Sequence, residues 1–166
     1  YPFLLTQVDK GAQEKVFNGG DPRRLMTPIG TISPEDRRVH ITPTISTILQ
    51  FRALDFGMEH CQLQVVLPTS VASKSSTTLE PSSLVLELNR LDASGAMDAS
   101  TLSYKTCPGF IGKIADIKVD YGLTWSHNFT CATDEVITFE LACSSSKNPG
   151  GECYVDWWQT KGQSNP

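Results

Sequence analysis

The chain predicts an all-β fold: an antiparallel β-sandwich of about nine strands with little helix, packed as one domain over residues 1–166. Three observations predict it. Short alternating segments rich in Val, Ile, Leu, Thr and aromatic residues recur along the chain, as a half-buried strand with a two-residue side-chain period requires. Clusters of Gly, Pro, Ser, Asn and Asp separate these segments. No stretch carries a 3.6-residue apolar stripe long enough for a helix. Many short strands without helices bury their apolar faces by packing one sheet on another, and a closed barrel is the other architecture the pattern admits.

In chain order the strand segments are Phe3 to Val8, Thr27 to Ile32, Arg37 to Thr42, Ile45 to Leu54, Cys61 to Leu67, Ser83 to Leu91, Lys113 to Asp120, Thr124 to Cys131 and Glu135 to Cys143. Cys153 to Gln159 is a tenth candidate. The intervening "FNGGDP" (17–22), "STTLEPSS" (76–83), "DASGAMDAS" (92–100) and "SSSKNPGG" (144–151) read as loops by composition. One helical turn is expected around Pro34 to Asp36, with Ser33 as its cap. The Ser-rich stretch 69–83 reads as a long surface loop, because the halves on either side are too small to stand alone.

A net charge of −4 with dispersed acidic residues leaves no basic stripe to neutralise phosphates, so nucleic acid is not expected as a partner. The dibasic pairs Arg23-Arg24 and Arg37-Arg38 read as solvated. No run reaches the ~18 apolar residues of a membrane-spanning helix. The sequence opens at Tyr1 without Met or a basic and apolar leader, which fits a removed signal peptide or a start downstream of the natural one.

Five cysteines, Cys61, Cys107, Cys131, Cys143 and Cys153, form no C-x-x-C pair, and the histidines hold no metal-ligand spacing to them. No metal and no cofactor is implied. With the tripeptide Asn128-Phe129-Thr130, a glycosylation acceptor pattern, the cysteines point to an oxidising compartment and a secreted or cell-wall location. An intracellular protein with buried thiols and a chance tripeptide is the alternative.

Strand phase sorts these residues. In 125–131, Trp125, His127, Phe129 and Cys131 share one face, while Ser126, Asn128 and Thr130 share the other. In 61–67, Cys61, Leu63, Val65 and Leu67 form the apolar row. Cys61 with Cys131 is therefore the preferred buried disulfide. Cys143 and Cys153, flanking a turn-rich segment, are preferred as a staple between antiparallel neighbours. Cys107 is left as the free thiol. This pairing is a preference among the arrangements that five cysteines allow.

Catalytic constellations are weak. No Gly-x-Ser-x-Gly elbow is present, His40 is expected at the surface, His60 at the start of a strand and His127 on the apolar row. The carboxylate pairs Asp116 with Asp120 and Asp134 with Glu135 could serve a glycosidase only if they faced each other across a cleft. In "CYVDWWQT" (153–160), with Cys153, Val155 and Trp157 inward, Tyr154, Asp156 and Trp158 form one outward row. Aromatic rings with a carboxylate suit sugar recognition, because C–H faces pack on rings and hydroxyls bond to the acid. The competing reading is plain packing of large aromatics.

"YPFLLTQVD" (1–9), "TISTILQF" (44–51), "CQLQVVLP" (61–68) and "FTCATDEVITFEL" (129–141) together resemble the fungal secreted family named for the carboxy-terminal domain of the ubiquitin 3 binding protein But-two. The resemblance implies a secreted or cell-surface β-sandwich without catalytic residues to carry over. Three functions follow in order: a non-catalytic protein recognising glycan or cell-wall polysaccharide, a surface structural or protein-interaction protein, and a hydrolase with an unfamiliar site.

Overall fold

The alternating segments become strands β1 (Leu4–Asp9), β2 (Leu25–Thr27), β3 (Gly30–Ile32), β4 (Arg37–Ile41), β5 (Ile45–Arg52) and β6 (His60–Val66). They continue as β7 (Thr78–Glu80), β8 (Leu84–Leu91), β9 (Phe110–Val119), β10 (Thr124–Thr130), β11 (Val136–Cys143) and β12 (Tyr154–Gln159). The computed structural model describes residues 1–17, 25–27, 30–32, 37–54, 57, 59–67, 77–80, 84–93, 95–148 and 152–159. The turn expected at Ser33 to Asp36, the pair Arg23-Arg24 and most of "FNGGDP" lie outside these residues.

Every pairing among the described residues is antiparallel. One sheet runs β1-β5-β11-β8-β9, faced by β4-β12-β7 and the ribbon β10-β6, with β2-β3 as a short hairpin. The fold is an all-β sandwich. Leu49 on β5, Ile137, Phe139 and Leu141 on β11, and Leu84, Leu86 and Leu88 on β8 point into a core shared with Val39, Ile41, Leu63, Val65, Val155 and Trp157 from the facing strands. Burying a side chain of this size stabilises by about 1.5–3 kcal/mol, so the alternation in these strands is the main driving force of the fold.

The opposite face of the large sheet is covered too. Leu4, Val8, Ile48 and Leu91 pack against Leu102, with Met97, Ala99 and Cys107 alongside, so the irregular residues described between β8 and β9 form a lid over the strands. That lid is held by a side chain with no exposed surface. Gln50 donates from Nε2 to the carbonyl of Gly95 (2.8 Å) and to Thr138 Oγ1 (3.0 Å), and its Oε1 accepts from the N–H of Met97 (3.0 Å). Thr138 Oγ1 donates in turn to the carbonyl of Ala93 at 3.1 Å. A loop has no ladder to satisfy its backbone, and here buried polar side chains of the sheet do so instead.

The sheet β4-β12-β7 is tied to the large one by hydrogen bonds and a disulfide, and the ribbon β10-β6 is closed by a disulfide of its own. Thr47, fully buried on β5, donates from Oγ1 to the carbonyl of His40 (2.8 Å) and accepts from its N–H (3.2 Å), occupying the outer backbone edge of β4. Within the ribbon a disulfide joins Cys61 to Cys131, at a sequence separation of 70, which on the chain-entropy view stabilises by ~4 kcal/mol. A second joins Cys143 to Cys153, with Cα atoms 6.2 Å apart. The expectation that this second bridge staples neighbouring strands is corrected: β11 and β12 belong to different sheets, so the bond crosses the sandwich. Nine intervening residues give the chain enough reach to change sheets, and both sulfurs sit against the core.

Most strand ends fall within two residues of expectation, and three elements differ by more. Residues 27–32, expected as one strand, contribute to the separate β2 and β3. "STTLEPSS", expected as loop, contains β7, whose Leu79 is buried while its neighbours are not. β9 starts at Phe110 instead of Lys113, because it is an edge strand whose first residues lie exposed and give no burial signal.

Gln50→Leu keeps the volume but leaves the N–H of Met97 and the carbonyl of Gly95 without their partner. A loss of about 1–3 kcal/mol in urea unfolding is expected, with faster hydrogen exchange at Met97 than at Phe139. Unchanged exchange at Met97 would show that the lid is held by its apolar contacts alone.

Candidate functional site

β12 carries the candidate site because of its position. As the middle strand of β4-β12-β7 it places Val155 and Trp157 in the core and turns Tyr154, Asp156 and Trp158 to the opposite face. The register sets Trp158 beside Arg38, Asp156 between His40 and Thr78, and Tyr154 beside Glu80. Tyr154 and Trp158 are half-buried, whereas Asp156 retains only 9% of its exposure.

The burial of Asp156 has a direct cause. Arg38 lies across it, donating from Nε to Oδ1 (2.9 Å) and from Nη2 to Oδ2 (2.5 Å), a bidentate geometry that compensates the carboxylate for lost water. Tyr154 donates its hydroxyl to Oδ2 at 3.4 Å. The hydrogen bond to Asp156 raises the pKa of Arg38, while desolvation opposes the rise. The outward row is therefore not two rings around an open carboxylate. Its charged centre is an Arg38–Asp156 pair with the guanidinium uppermost, its side chain 47% exposed against 12% for Asp156.

His40 completes the cluster, and its expected exposure is corrected: β12 and Tyr154 cover it. Its ring meets Tyr154 edge-on at 5.4 Å between centroids. Burial, and then the Arg38 charge, lower its pKa below the ordinary 6.5, and Asp156 only partly offsets them. Nδ1 is buried without a hydrogen-bond partner and lies 3.9 Å from Asp156 Oδ2, too far for a hydrogen bond, so a neutral imidazole makes no ion pair there. Arg38 and His40 were legible as a face, since they alternate with buried Val39 and Ile41 in "RRVHI". Their meeting with Asp156 joins positions 118 residues apart for Arg38, which local pattern does not encode.

The other expected residues lie elsewhere. Asn128 and Thr130 are exposed on β10, and Phe129 points to the core beside Phe139. His127 is stacked between Trp125 and Phe129, a packing role. His60 is exposed at the start of β6. Cys107 sits half-buried on the inner side of the lid, where burial and then Glu140 push its thiol up to about 11.

The carboxylates considered for glycosidase chemistry are committed to cations or backbone. Asp116 is lowered by Lys147 and Lys113, Asp134 is lowered by Arg52, and Asp120 accepts from the N–H of Tyr121. Glu135 accepts from Arg90 at 3.2 Å and from the N–H of Ala132 at 2.8 Å. A general acid needs a raised pKa, and the shifts at Asp116 and Asp134 run the other way. Asp134 and Glu135 line a shallow groove of about 340 Å³ with Arg90, Leu91 and Ile111. Among the described residues no group of three or more His, Cys, Asp or Glu could hold a metal ion, and no helix is long and apolar enough to cross a membrane.

The fold and this face define a class: a disulfide-bridged all-β sandwich whose small sheet presents aromatic rings around a fixed ion pair. Within that class the chain belongs to the family described as the Ubiquitin 3 binding protein But2 C-terminal domain, which it matches over residues 30–161. That span runs from β3 through β12 and leaves β1 outside, although "YPFLLTQVD" is one of the segments that carry the resemblance. No curated protein matches the chain.

Two outcomes test the electrostatics. Because the folded pKa of His40 is lowered, the unfolded chain binds its proton more readily. Stability is then complete above pH ~6.5 and falls as pH drops through the folded value. Urea midpoints between pH 7 and 4 should show this slope, and His40→Gln should flatten it. For Cys107, a thiol moved from 9.0 to about 11 carries ~100-fold less thiolate at pH 8. Alkylation by iodoacetamide should be slower by about that factor in the native protein than in urea, and equal rates would disprove the burial.

Proposed function

We propose that the protein is an extracellular, non-catalytic binding domain that recognises glycan, of the kind found in cell-wall polysaccharide, through the outer face of β4-β12-β7. The observation that carries this reading is the placing of Tyr154 and Trp158 on one strand face with the Arg38–Asp156 pair between them. Four residues of strand separate the two rings by about 13 Å, a span suited to successive sugar units. Sugar C–H faces pack on such rings. The guanidinium, oriented by Asp156, retains further N–H donors for hydroxyls, so Arg38 takes the polar role and Asp156 positions it. Two disulfides support the extracellular setting, since such bonds persist in oxidising compartments. The family description is that of a binding protein, which agrees with a binding role.

A second reading, a protein-interaction or surface structural role, is favoured by one observation. Phe110 (63%), Ile111 (59%) and Ile114 (36%) are exposed on β9, the end strand of its sheet. The ladder with β8 skips Ile111 and Ile114, so both isoleucines stand at bulges, which discourage strand addition and leave apolar side chains available to a partner.

One comparison separates the two. On a broad glycan array the native protein should bind, and Tyr154→Ala with Trp158→Ala should lower binding at least ~10-fold, the ~1.4 kcal/mol scale of a lost ring contact, with unchanged near-UV circular dichroism. Binding that survives the double change overturns the site. Absence of any glycan ligand, with a protein partner lost on Ile111→Asp, replaces the first reading by the second.

A further inference from the structure

We infer that Asn128 is an N-glycosylation site, occupied on the folded protein by an oligosaccharide lying over the exposed face of the β6–β10 ribbon. The inference rests on the extracellular reading for access to the transferring machinery, and on the ribbon itself for everything else.

β10 alternates without interruption: Thr124, Ser126, Asn128 and Thr130 are exposed, and Trp125, His127 and Phe129 are half-buried. An acceptor tripeptide needs its Asn and its hydroxyl residue reachable together, and a two-residue period gives both residues the same face. The middle residue is held on the other side, where Phe129 meets Phe139 edge-on at 5.8 Å. The tripeptide is therefore oriented by the core and not merely exposed.

The amide of Asn128 is also oriented. Gln64 donates from Nε2 to Gln62 Oε1 (2.6 Å), and Gln62 donates from Nε2 to Asn128 Oδ1 (2.9 Å). This relay engages the Asn128 oxygen and turns Nδ2, the atom that carries the sugar, away from β6. Transfer from a lipid-pyrophosphate oligosaccharide forms the bond from Nδ2 to the anomeric carbon. It breaks that carbon's bond to the pyrophosphate oxygen, which leaves with the electron pair, while Nδ2 gives up one proton to a base of the transferase. No electron is gained or lost overall. The Oδ1 acceptor survives the step, so the relay to Gln62 persists in the product.

The surrounding surface suits a sugar. Gln62, Gln64, Ser126 and Thr130 present amides and hydroxyls, with Val66 as the apolar exception at the far end. Among the described residues β6 and β10 pair only with each other, which leaves two strand edges open to addition by another chain. A bulky, hydrated group at Asn128 obstructs that addition as charges and prolines do elsewhere. Asn128 and Trp158 sit in separate sheets, so the acceptor can be changed without altering the proposed binding face.

The test has two arms. Intact-mass and peptide analysis of the protein from its natural source should find a glycosidase-removable mass on Asn128 together with both disulfides. Secreted from a eukaryotic host, Asn128→Gln and Thr130→Ala should lose that mass while Thr130→Ser keeps it. A natural protein with both disulfides and bare Asn128 overturns this inference and leaves the extracellular reading standing. One with Cys61, Cys131, Cys143 and Cys153 all reduced and bare Asn128 overturns both. A removable mass that persists in Asn128→Gln places the sugar elsewhere and overturns the site.

Discussion

The hydrogen bonds of Gln50 are the interaction on which the layering depends. A five-stranded sheet with apolar side chains on both faces needs two covers, and only one is supplied here by other strands. The second is an irregular stretch whose backbone groups would be left unsatisfied against the sheet. Gln50, with donor and acceptor on one planar amide, meets Gly95 and Met97 at once and leans on Thr138. Ser46 and Asn89 hold Glu140 on the same face, so the surface under the lid is polar where the loop backbone crosses and apolar where its side chains enter. An apolar residue at position 50 would fill the space but not answer the backbone.

Much of this architecture was legible because strand phase is a local property. Leu63, Val65 and Leu67 are buried and Gln62, Gln64 and Val66 exposed, as alternation over 61–67 requires. The same period separated Val155 and Trp157 from Tyr154 and Trp158. What stayed hidden depends on distant partners. β7 is three residues long and becomes a strand only because β12 runs beside it. Asp156 shares a face with the aromatic residues in phase, yet its burial follows from Arg38, which belongs to another part of the chain. Ile114 read as an ordinary strand residue and Ile111 lay outside the expected strand, and only the ladder with β8 shows both displaced at bulges.

The candidate face is coupled to the core through β4. Val39 and Ile41 are wholly buried, the backbone of His40 is held by Thr47, and Gln7 on β1 donates to the carbonyl of Arg38 at 2.8 Å. The side chains of Arg38 and His40 thus rise from a backbone fixed on both sides. Such fixation lowers the entropy lost on ligand binding, because the guanidinium and the rings already occupy their working positions.

The placing of β12 between β4 and β7 also has a consequence in time. Arg38 and Asp156 lie 118 positions apart, and among the described residues only the ladders β2-β3 and β8-β9 join consecutive strands, so loop closure dominates the barrier and folding is expected in the slow, millisecond-to-second range. During synthesis β4 and β7 emerge with nothing to bridge them. The face that holds Arg38, Tyr154 and Trp158 comes into being only when β12 arrives, which couples its appearance to completion of the sandwich and keeps partly folded chains from displaying it.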